Sequence, residues 1–436
     1  MSSETTRLEP PPHLEVETLA VELVDGDEAG TRIEACSDVV TIGKAKDNDV
    51  VLTDRAVSRY HLELKVTKGG VEVTDLGSTN GTYLGSARIE RAVVPVDAVL
   101  EVGRTKLKLS DGEGTTVPLS SGETTGLIVG DSEVMQRLMA QLEKVSSSEV
   151  PCLLMGESGT GKEVIARAIQ MLSKRSDGPF VTVDCGAFSP NLVASELFGH
   201  EKGAFTGADR QHVGAFERAH GGVLFLDEIG ELPLDLQPQL LGALERRRFR
   251  RLGGQREIDV DVQLVSATNR DLRVEVNEGT FRLDLYYRLA VVVLRLPSLR
   301  DRRDDVPLLV EHFLRDAGHD GPVTDVVPDE IMAGLKAHRW PGNVRELRNW
   351  VEATVAMGEA GELMSHEPRG MNATADDGEL LVMPYKEARF RVLEDFERRY
   401  LERLIERARH NVSAAAREAR MDRSYLLKLL QRHGLR

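Results

Sequence analysis

Residues 150–163 read VPCLLMGESGTGKE, and this stretch decides the fold of the central part of the chain. The apolar run 150–155 has the length of a buried strand, and apolar residues repeat at helical spacing over 164–172. Between these two elements, residues 156–162 fit the pattern GxxxxGK. Such glycines let backbone N–H groups wrap a phosphate, and the following helix N-terminus adds its positive dipole. The stretch therefore predicts a nucleotide-binding loop.

Lys162 is the charged member of this loop and is expected to supply a point charge to the outer phosphates of a nucleotide. Glu163 follows it, where a Ser or Thr usually holds magnesium. Taken alone, the loop therefore leaves an ordinary strand-to-helix turn as an alternative. The predicted nucleotide-binding residues of this segment are Gly156, Glu157, Ser158, Gly159, Thr160, Gly161, Lys162 and Glu163.

A second acidic element favours the nucleotide site over the ordinary turn. The apolar run 223–226 is followed directly by Asp227 and Glu228, so both carboxylates emerge at the carboxyl edge of a strand. We expect Asp227 to hold magnesium and Glu228 to act as the base that polarises an attacking water. A solvated acidic turn is the alternative. The next apolar run, 262–266, ends near Asn269, whose amide could orient the water, although an isolated Asn is more often a turn residue.

Arginines recur in two later segments, 281–289 and 340–349. An arginine that reaches a γ-phosphate from a neighbouring subunit stabilises the charge that develops during transfer. Spacing alone does not assign this role, because most helical arginines are solvated surface charges.

Five segments together resemble the bacterial sigma-54-dependent transcription activators, a branch of the AAA+ ATPases. They occur in family order between about 126 and 360, and GAFTGA is the most specific of them because other AAA+ branches lack it. The segments are GESGTGKE (156–163), GAFTGA (203–208), GGVLFLDEIG (221–230), FRLDLYYRL (281–289) and WPGNVRELRN (340–349).

The resemblance implies a role for each matching residue. Lys162 would be the phosphate-loop lysine, and Asp227 and Glu228 the Walker B pair. Asn269 falls in the sensor I region, Arg345 would be the sensor II arginine, and Arg282 and Arg288 would act as fingers on the next subunit. The loop Gly203, Ala204, Phe205, Thr206, Gly207 and Ala208 would contact sigma-54, with Phe205 and Thr206 exposed. Asp184 stands where the family often has Asn, and its carboxylate would repel Glu228 unless it is protonated or bridged.

The N-terminal part of the chain reads as a β module. Short alternating runs such as 61–66 and 70–74 are separated by Gly, Asn and Asp turns. Its motifs resemble a forkhead-associated (FHA) domain over about 20–110, which implies recognition of phosphothreonine. A β-sandwich that has lost binding and only packs against the ATPase is the alternative. The implied phosphopeptide-binding residues are Lys44, Ser58, Arg59, Thr79 and Asn80, with Lys44 in place of the common Arg.

The C-terminal tail is locally basic although the whole chain carries a net charge of −15. Residues 407–436 contain eight basic and two acidic side chains, a formal charge of +6. Two short helical patterns resemble the Fis-type helix-turn-helix, with a dimerising helical hairpin as the alternative. The expected DNA contacts are Arg423, Ser424, Tyr425 and Lys428.

Composition bounds the remaining possibilities. A length of 436 residues predicts two to four domains, and 41% apolar residues exclude global disorder. No apolar run approaches the roughly 18 residues of a membrane span, and the polar N-terminus is unlike a secretory signal. We therefore expect a cytoplasmic protein with no membrane contact. Cys36, Cys152 and Cys185 form no CxxC pair and are expected to be reduced.

The predicted protein is multidomain: an all-β FHA sandwich, an α/β AAA+ ATPase with a helical lid, and an all-α helix-turn-helix. It would bind upstream DNA, assemble a homo-oligomeric ring of six or seven subunits, and use ATP and Mg²⁺ to remodel sigma-54 RNA polymerase. A phosphothreonine protein, for instance a Ser/Thr kinase or its substrate, would gate it. A remodeller of a non-transcriptional protein and a phosphopeptide adaptor with an inert ATPase are the competing hypotheses. The predicted segments are 20–110 (FHA), 111–126 (linker), 127–360 (ATPase), 361–385 (linker) and 386–436 (DNA binding).

Overall fold

In this computed structural model, the description covers most of the chain up to residue 358 and five positions beyond it. The chain divides into two compact units, 1–363 and 364–436. In the second unit the described positions are helical, and Leu401, Leu404, Leu426 and Leu430 are buried. The four predicted DNA contacts and the predicted linker 361–385 lie outside the described residues. These residues are 13–16, 18–26, 28–35, 39–67, 69–112, 115–118, 126–187, 190–358, 401, 404, 412, 426 and 430.

The N-terminal domain is built from two β-sheets that enclose an apolar core. One sheet has the strand order β10-β7-β6-β4-β5 and the other β3-β2-β12-β11-β8-β9. Alternation places one face of each strand inside, so that Leu62 and Leu64 of β6 are buried together with Leu100 of β11. The strands are β1 His13–Val16, β2 Leu19–Asp25, β3 Arg32–Glu34, β4 Val39–Gly43, β5 Val50–Val51, β6 Leu62–Thr67, β7 Gly70–Asp75, β8 Thr82–Leu84, β9 Ala87–Ile89, β10 Arg91–Val94, β11 Val99–Val102, β12 Thr105–Asp111 and β13 Thr115–Pro118.

Two of these strands extend beyond the limits predicted from the sequence. β1 and β13 pair antiparallel, with Val16 opposite Thr115 and His13 opposite Pro118. The sequence predicts a linker at 111–126, where Gly, Ser and Thr residues offer little to bury. The structure differs at 111 and 115–118, because backbone pairing with a strand about a hundred residues away needs no apolar side chains.

The central domain has a five-stranded sheet in the order β15-β16-β19-β14-β20, and all its pairings are parallel. Parallel strands joined by helices confirm the predicted α/β architecture. Since β14, β16 and β19 are neighbours, the segments that follow them meet at one edge. The strands are β14 Cys152–Met155, β15 Phe180–Asp184, β16 Val223–Asp227, β17 Arg248–Arg250, β18 Glu257–Asp259, β19 Gln263–Thr268 and β20 Val292–Arg295, with β17 and β18 forming a separate hairpin.

Helices cover this sheet and form a separate lid from residue 299 onward. The lid core contains Leu299, Val310, Trp340 and Leu347, and the Trp340 indole N–H donates to the Leu335 carbonyl at 2.8 Å. Within the described residues, no helix is both long and apolar enough to cross a membrane. The helices are α1 Glu133–Ser148, α2 Lys162–Leu172, α3 Pro190–Phe198, α4 Ala215–Arg218, α5 Gln237–Arg246, α6 Leu272–Glu278, α7 Leu283–Leu289, α8 Val306–Asp316, α9 Val323–Val326, α10 Asp329–Ala337 and α11 Asn343–Met357.

Candidate functional site

The glycine-rich loop lies between β14 and α2, as predicted. Lys162 opens α2 and is only 7% exposed, and its Nζ donates to the carbonyls of Gly156 at 2.9 Å and Glu157 at 3.3 Å. The first N–H groups of a helix have no acceptor inside the helix, so the start of α2 presents donors beside the Lys162 ammonium. The loop therefore concentrates positive charge and N–H donors at one point.

Gly159 shows why this loop needs glycine. Its φ is +78°, and a Cβ at this position would lie 2.3 Å from the Gly342 carbonyl oxygen at the start of α11. Any side chain would therefore separate the loop from the lid, in addition to straining the backbone.

The two predicted carboxylates meet the loop at the carboxyl edge of the sheet. Glu228 has an unusual φ of +47°, and its carboxylate lies 3.7 Å from Lys162 Nζ and accepts from the Asn269 backbone N–H at 3.3 Å. The structure thus brings Asn269 to Glu228 through its main chain. Burial raises the pKa of Asp227, and the charges of Glu228 and Asp184 raise it further, while Lys162 opposes them.

Asp184 lies beside Asp227 because the two residues are in register on neighbouring strands. One Asp184 carboxylate oxygen accepts from the Gly186 N–H at 2.8 Å. Its negative charge helps to raise the pKa of Asp227, and repulsion of Glu228 by Asp184 stays a prediction. The register between β15 and β16 places Asp184 next to Asp227, and spacing along the chain does not show this register.

The lid grips the loop from the other side. Arg345 donates from Nη1 to Ser158 Oγ at 3.0 Å, and its backbone N–H donates to the Gly159 carbonyl at 3.3 Å. Glu163 pairs with Arg167 one turn along α2 at 3.0 Å, and it also lines the cavity between the loop and the lid. The structure therefore ties Arg345 of the lid to the loop, while Glu163, a predicted nucleotide-binding residue, lies in the first turn of α2.

Three lid residues that sequence reasoning missed complete this grip. Asn343 is fully buried with φ +52°, and its Nδ2 donates to Glu157 Oε2 at 3.1 Å and to the Ser158 carbonyl at 3.0 Å. Arg300 pairs with Glu157, and this contact, followed by the one from Asn343, lowers the pKa of Glu157.

Arg302 is the third of these residues and is only 5% exposed. Its Nη2 donates to the Thr160 carbonyl at 3.1 Å, and burial lowers its pKa. The only sequence signal for Asn343 was its place in WPGNVRELRN, and the run 300–305 reads as an ordinary charged surface.

A cavity of about 420 Å³ opens between the loop and the lid. Its polar wall holds Lys162, Asp227, Glu228 and Arg345, and its apolar wall comes from residues such as Ile128, Val129, Leu309 and Phe313. Ligand pockets of roughly this size typically pair an apolar wall with a few convergent polar groups. The cations Lys162 and Arg345 suit the phosphates of a nucleotide, and the apolar wall suits its nucleobase. Asp227 offers a carboxylate to Mg²⁺.

Arg282 and Arg288 do not line this cavity. Arg282 is exposed and pairs with Asp284 at 2.6 Å. Arg288 donates from Nη2 to the Leu244 carbonyl at 2.9 Å, beside a separate cavity of about 90 Å³. Neither arginine can therefore serve the nucleotide site of its own subunit in this conformation.

The loop 203–208 forms a compact turn. The Gly203 N–H donates to the Ala208 carbonyl at 2.8 Å, and Gly203 and Gly207 have φ of +82° and +101°. Thr206 is exposed, as predicted, but Phe205 is half-buried because its ring packs edge-on against the His200 ring at 4.9 Å between centroids. Thr206 is therefore the more accessible of the two side chains.

The predicted phosphopeptide residues gather on three neighbouring segments of the N-terminal domain: Lys44 follows β4, and the other four lie on the turns before β6 and before β8. Ser58 Oγ accepts from the Thr79 N–H at 3.0 Å, and Asn80 Nδ2 donates to the Ala56 carbonyl at 2.7 Å. Lys44 Nζ reaches the Arg55 carbonyl at 3.3 Å, and Arg59 is exposed. Two cations, two hydroxyl-bearing residues and an amide thus share one edge of the sandwich, a donor set that suits a phosphate.

Comparison with known proteins decides the family. "Regulatory protein AtoC" of Escherichia coli (strain K12) is 42% identical over 322 residues, which cover 73% of this chain and 70% of AtoC. The chain belongs to the sigma-54-dependent transcription activators. The DNA-binding transcriptional regulator NtrC of Rhizobium meliloti (strain 1021) is 39% identical over 343 residues, 76% of this activator and 71% of NtrC. NtrX from Brucella abortus, solved in complex with ADP, has a TM-score of 0.52 at 38% identity over 71% of this activator and 70% of that chain.

Family models match four segments of the activator. The sigma-54 interaction domain matches 128–295, the AAA+ ATPase lid domain 300–375, and the Fis family of bacterial regulatory proteins 392–434. The cytoplasmic domain of the inner membrane component of T3SS matches 22–113. The activator therefore combines an N-terminal domain of two β-sheets, an AAA+ domain and a Fis-type helix-turn-helix, which confirms the predicted multidomain fold class.

Proposed function

We propose that this activator hydrolyses ATP in a homo-oligomeric ring and uses the energy to convert closed complexes of sigma-54 RNA polymerase into open ones in the cytoplasm. The proposal rests on one observation: some of the predicted catalytic residues lie at the nucleotide cavity, and two of the predicted arginines do not. Lys162, Asp227 and Glu228 meet at one cavity, while Arg282 and Arg288 lie away from it. A head-to-tail contact would bring these arginines to the neighbour's cavity, and repetition of such a contact closes a ring.

Each residue of the cavity has a distinct task in this proposal. Lys162 and the first N–H groups of α2 bind the outer phosphates, and Arg345 contacts these phosphates from the lid. Glu228 accepts a proton from the attacking water. Asp227 would hold Mg²⁺, which when bound neutralises phosphate charge. The Asn269 main chain keeps the Glu228 carboxylate in place, since its N–H donates to that group.

The compact turn 203–208 would contact sigma-54. Its exposed Thr206 lies between two glycines with positive φ, Gly203 and Gly207, so the tip can change conformation at small cost. The family's sigma-54 interaction domain covers this segment. Residues 386–436 would bind upstream DNA and raise the local concentration of subunits at the promoter.

Reconstituted transcription tests the whole proposal. With sigma-54 polymerase and a template that carries the upstream site, full-length protein should yield transcripts with ATP and none with a non-hydrolysable analogue.

Deleting 407–436 removes the +6 segment, so site-specific DNA binding should be lost while ATP hydrolysis at high protein concentration persists. The slope of log K against log salt for the intact protein should be about −0.9 per phosphate contact. Unchanged DNA binding after the deletion would place the DNA interface elsewhere.

The FHA-like domain would gate this activity by binding a phosphothreonine protein, for instance a Ser/Thr kinase or its substrate. Arg59 should carry much of the affinity because its exposed guanidinium can pair with a phosphate. Arg59→Ala in the full chain should weaken binding of a degenerate phosphothreonine peptide library by about 10- to 100-fold, the range expected for lost charge-assisted hydrogen bonds. Fluorescence anisotropy measures this loss.

Arg55 offers a matched control, because it is an exposed arginine four residues away. Arg55→Ala should bind the library as the wild type does, and the unphosphorylated and phosphoserine libraries should bind far less. If the wild type binds all three libraries equally, phosphothreonine recognition is wrong. The FHA-like domain would then only pack against the ATPase.

A further inference from the structure

The FHA-like domain packs against α6 and β20 of the ATPase through a partly buried ion cluster. Glu63 of β6 pairs with Arg273 of α6 and with Arg295 of β20, each at 2.7 Å. Arg273 is 5% exposed and is held from its own side by Asp271. Breaking the pair between Glu63 and the buried Arg273 removes a partner from a buried charge, so the two domains resist separation here.

Aromatic contacts extend the same interface. The rings of Tyr60 and Tyr286 meet edge-to-face with centroids 5.5 Å apart, and Tyr60 is 1% exposed. Asp47 accepts from the hydroxyls of Tyr60 at 2.9 Å and Tyr287 at 3.1 Å. Ala45, Tyr60 and Leu76 accordingly belong to the apolar core of the ATPase domain and not to that of their own sandwich.

One ATPase side chain joins the turn that carries Ser58 and Arg59 to the turn that carries Thr79 and Asn80. Asn277 of α6 donates from Nδ2 to the Tyr60 carbonyl at 2.5 Å and to the Leu76 carbonyl at 2.9 Å. Tyr60 directly follows Ser58 and Arg59, and Leu76 shortly precedes Thr79 and Asn80. The side-chain amide of Asn277 therefore donates one hydrogen bond to each turn and holds the two turns at a fixed separation.

We propose that Asn277 is a positioning residue of the phosphothreonine pocket, supplied by the ATPase domain. The proposal rests on the proposed recognition of phosphothreonine. The Ser58 Oγ to Thr79 N–H contact crosses the same two turns, so their separation decides whether the hydroxyls, cations and amide converge on one phosphate. Preorganisation of this kind lowers the entropic cost of binding.

The contact also links the pocket to the ATPase in both directions. Asn277 lies on α6, which leads into the α7 that carries Arg288. If the position of α6 changes the affinity for phosphothreonine, then an occupied pocket must by linkage favour one position of α6. A phosphothreonine partner therefore acts on the segment proposed to reach the neighbouring subunit.

Asn277→Asp tests the proposal in full-length protein. The new carboxylate cannot donate to the two carbonyls that the Asn277 amide holds. Affinity for a fluorescent degenerate phosphothreonine library should therefore fall about tenfold, which corresponds to about 1.4 kcal/mol. Asn277→Ala, which adds no charge, should give a similar loss. The control Glu278→Gln alters an exposed neighbour on α6, and the pair N277D/E278Q has the net charge of the wild type. Glu278→Gln should bind normally, and the double variant should remain weak.

Amide hydrogen exchange supplies a readout that a general loss of stability would not reproduce. Adding the library should slow exchange over 272–289 in the wild type and leave it unchanged in Asn277→Ala, while the affinity of both proteins for a fluorescent ADP analogue stays equal. If the wild type binds the library and both Asn277 variants bind it equally well, the positioning role is wrong and phosphothreonine recognition stands. If the wild type does not bind the library at all, phosphothreonine recognition fails and the positioning role fails with it.

Discussion

Mixing Arg288→Ala subunits with Glu228→Gln subunits should restore ATP hydrolysis that neither variant performs alone. Removing a trans-acting arginine is expected to lower kcat by about 10³-fold or more, and removing the base by about 10²- to 10⁴-fold. Arg288 lies away from its own nucleotide cavity, whereas Glu228 lies 3.7 Å from Lys162 within it. A hybrid pair therefore contains one complete site, with Glu228 from one subunit and Arg288 from the other. Steady-state hydrolysis across mixing ratios measures the recovery.

Arg247 is the matched control for this experiment. It lines the same small cavity as Arg288, but its side chain is 75% exposed and lies 3.9 Å from Asp261. Arg247→Ala should leave kcat within about twofold, since exposed ion pairs contribute little. Specific activity of the wild type should also rise with protein concentration. An unchanged kcat for Arg288→Ala would refute its role on the neighbouring subunit.

Replacing Thr206 by Ala should abolish open-complex formation while hydrolysis continues. The loop 203–208 contributes no residue to the nucleotide cavity, so kcat should remain within about twofold of the wild type. The exposed tip is the proposed contact with sigma-54, and loss of its hydroxyl and methyl should leave hydrolysis uncoupled from the polymerase. Permanganate footprinting of a sigma-54 promoter measures melting, and a phosphate-release assay measures hydrolysis on the same samples.

Asp209→Asn provides the control, because Asp209 is exposed directly after the loop. This variant should melt the promoter as the wild type does. Full transcription by Thr206→Ala would remove the loop from the proposed mechanism, and loss of hydrolysis would show that the loop instead supports the nucleotide site.

Local patterns predicted the centre of the site. The phosphate loop and the Asp227–Glu228 pair each lie within a few residues of a strand end, and parallel strands bring such ends to one edge. The resemblance of 203–208 and 340–349 to one family then identified the activator. Lys162, Glu228 and Arg345 lie around one cavity as these patterns indicated.

Contacts between distant segments were not predictable in the same way. Asn343 and Arg302 reach the loop from lid segments more than 140 residues away, and Asn277 reaches the N-terminal turns across about 200. Their neighbours in sequence are ordinary helical and charged residues, so only packing reveals their partners. Phe205 was expected to be exposed, but its contact with His200 depends on how the loop folds back.

The lid's grip on the phosphate loop has a consequence for the lifetime of a bound nucleotide. Asn343, Arg345 and Arg302 hold the carbonyls or side chains of three consecutive loop residues, 158–160. These bonds fix the loop to a helical body whose own core is centred on Trp340. Under the proposed ATP hydrolysis, ADP would therefore leave quickly only if the lid moved away from the loop, and its dwell time would depend on lid packing at least as much as on phosphate contacts.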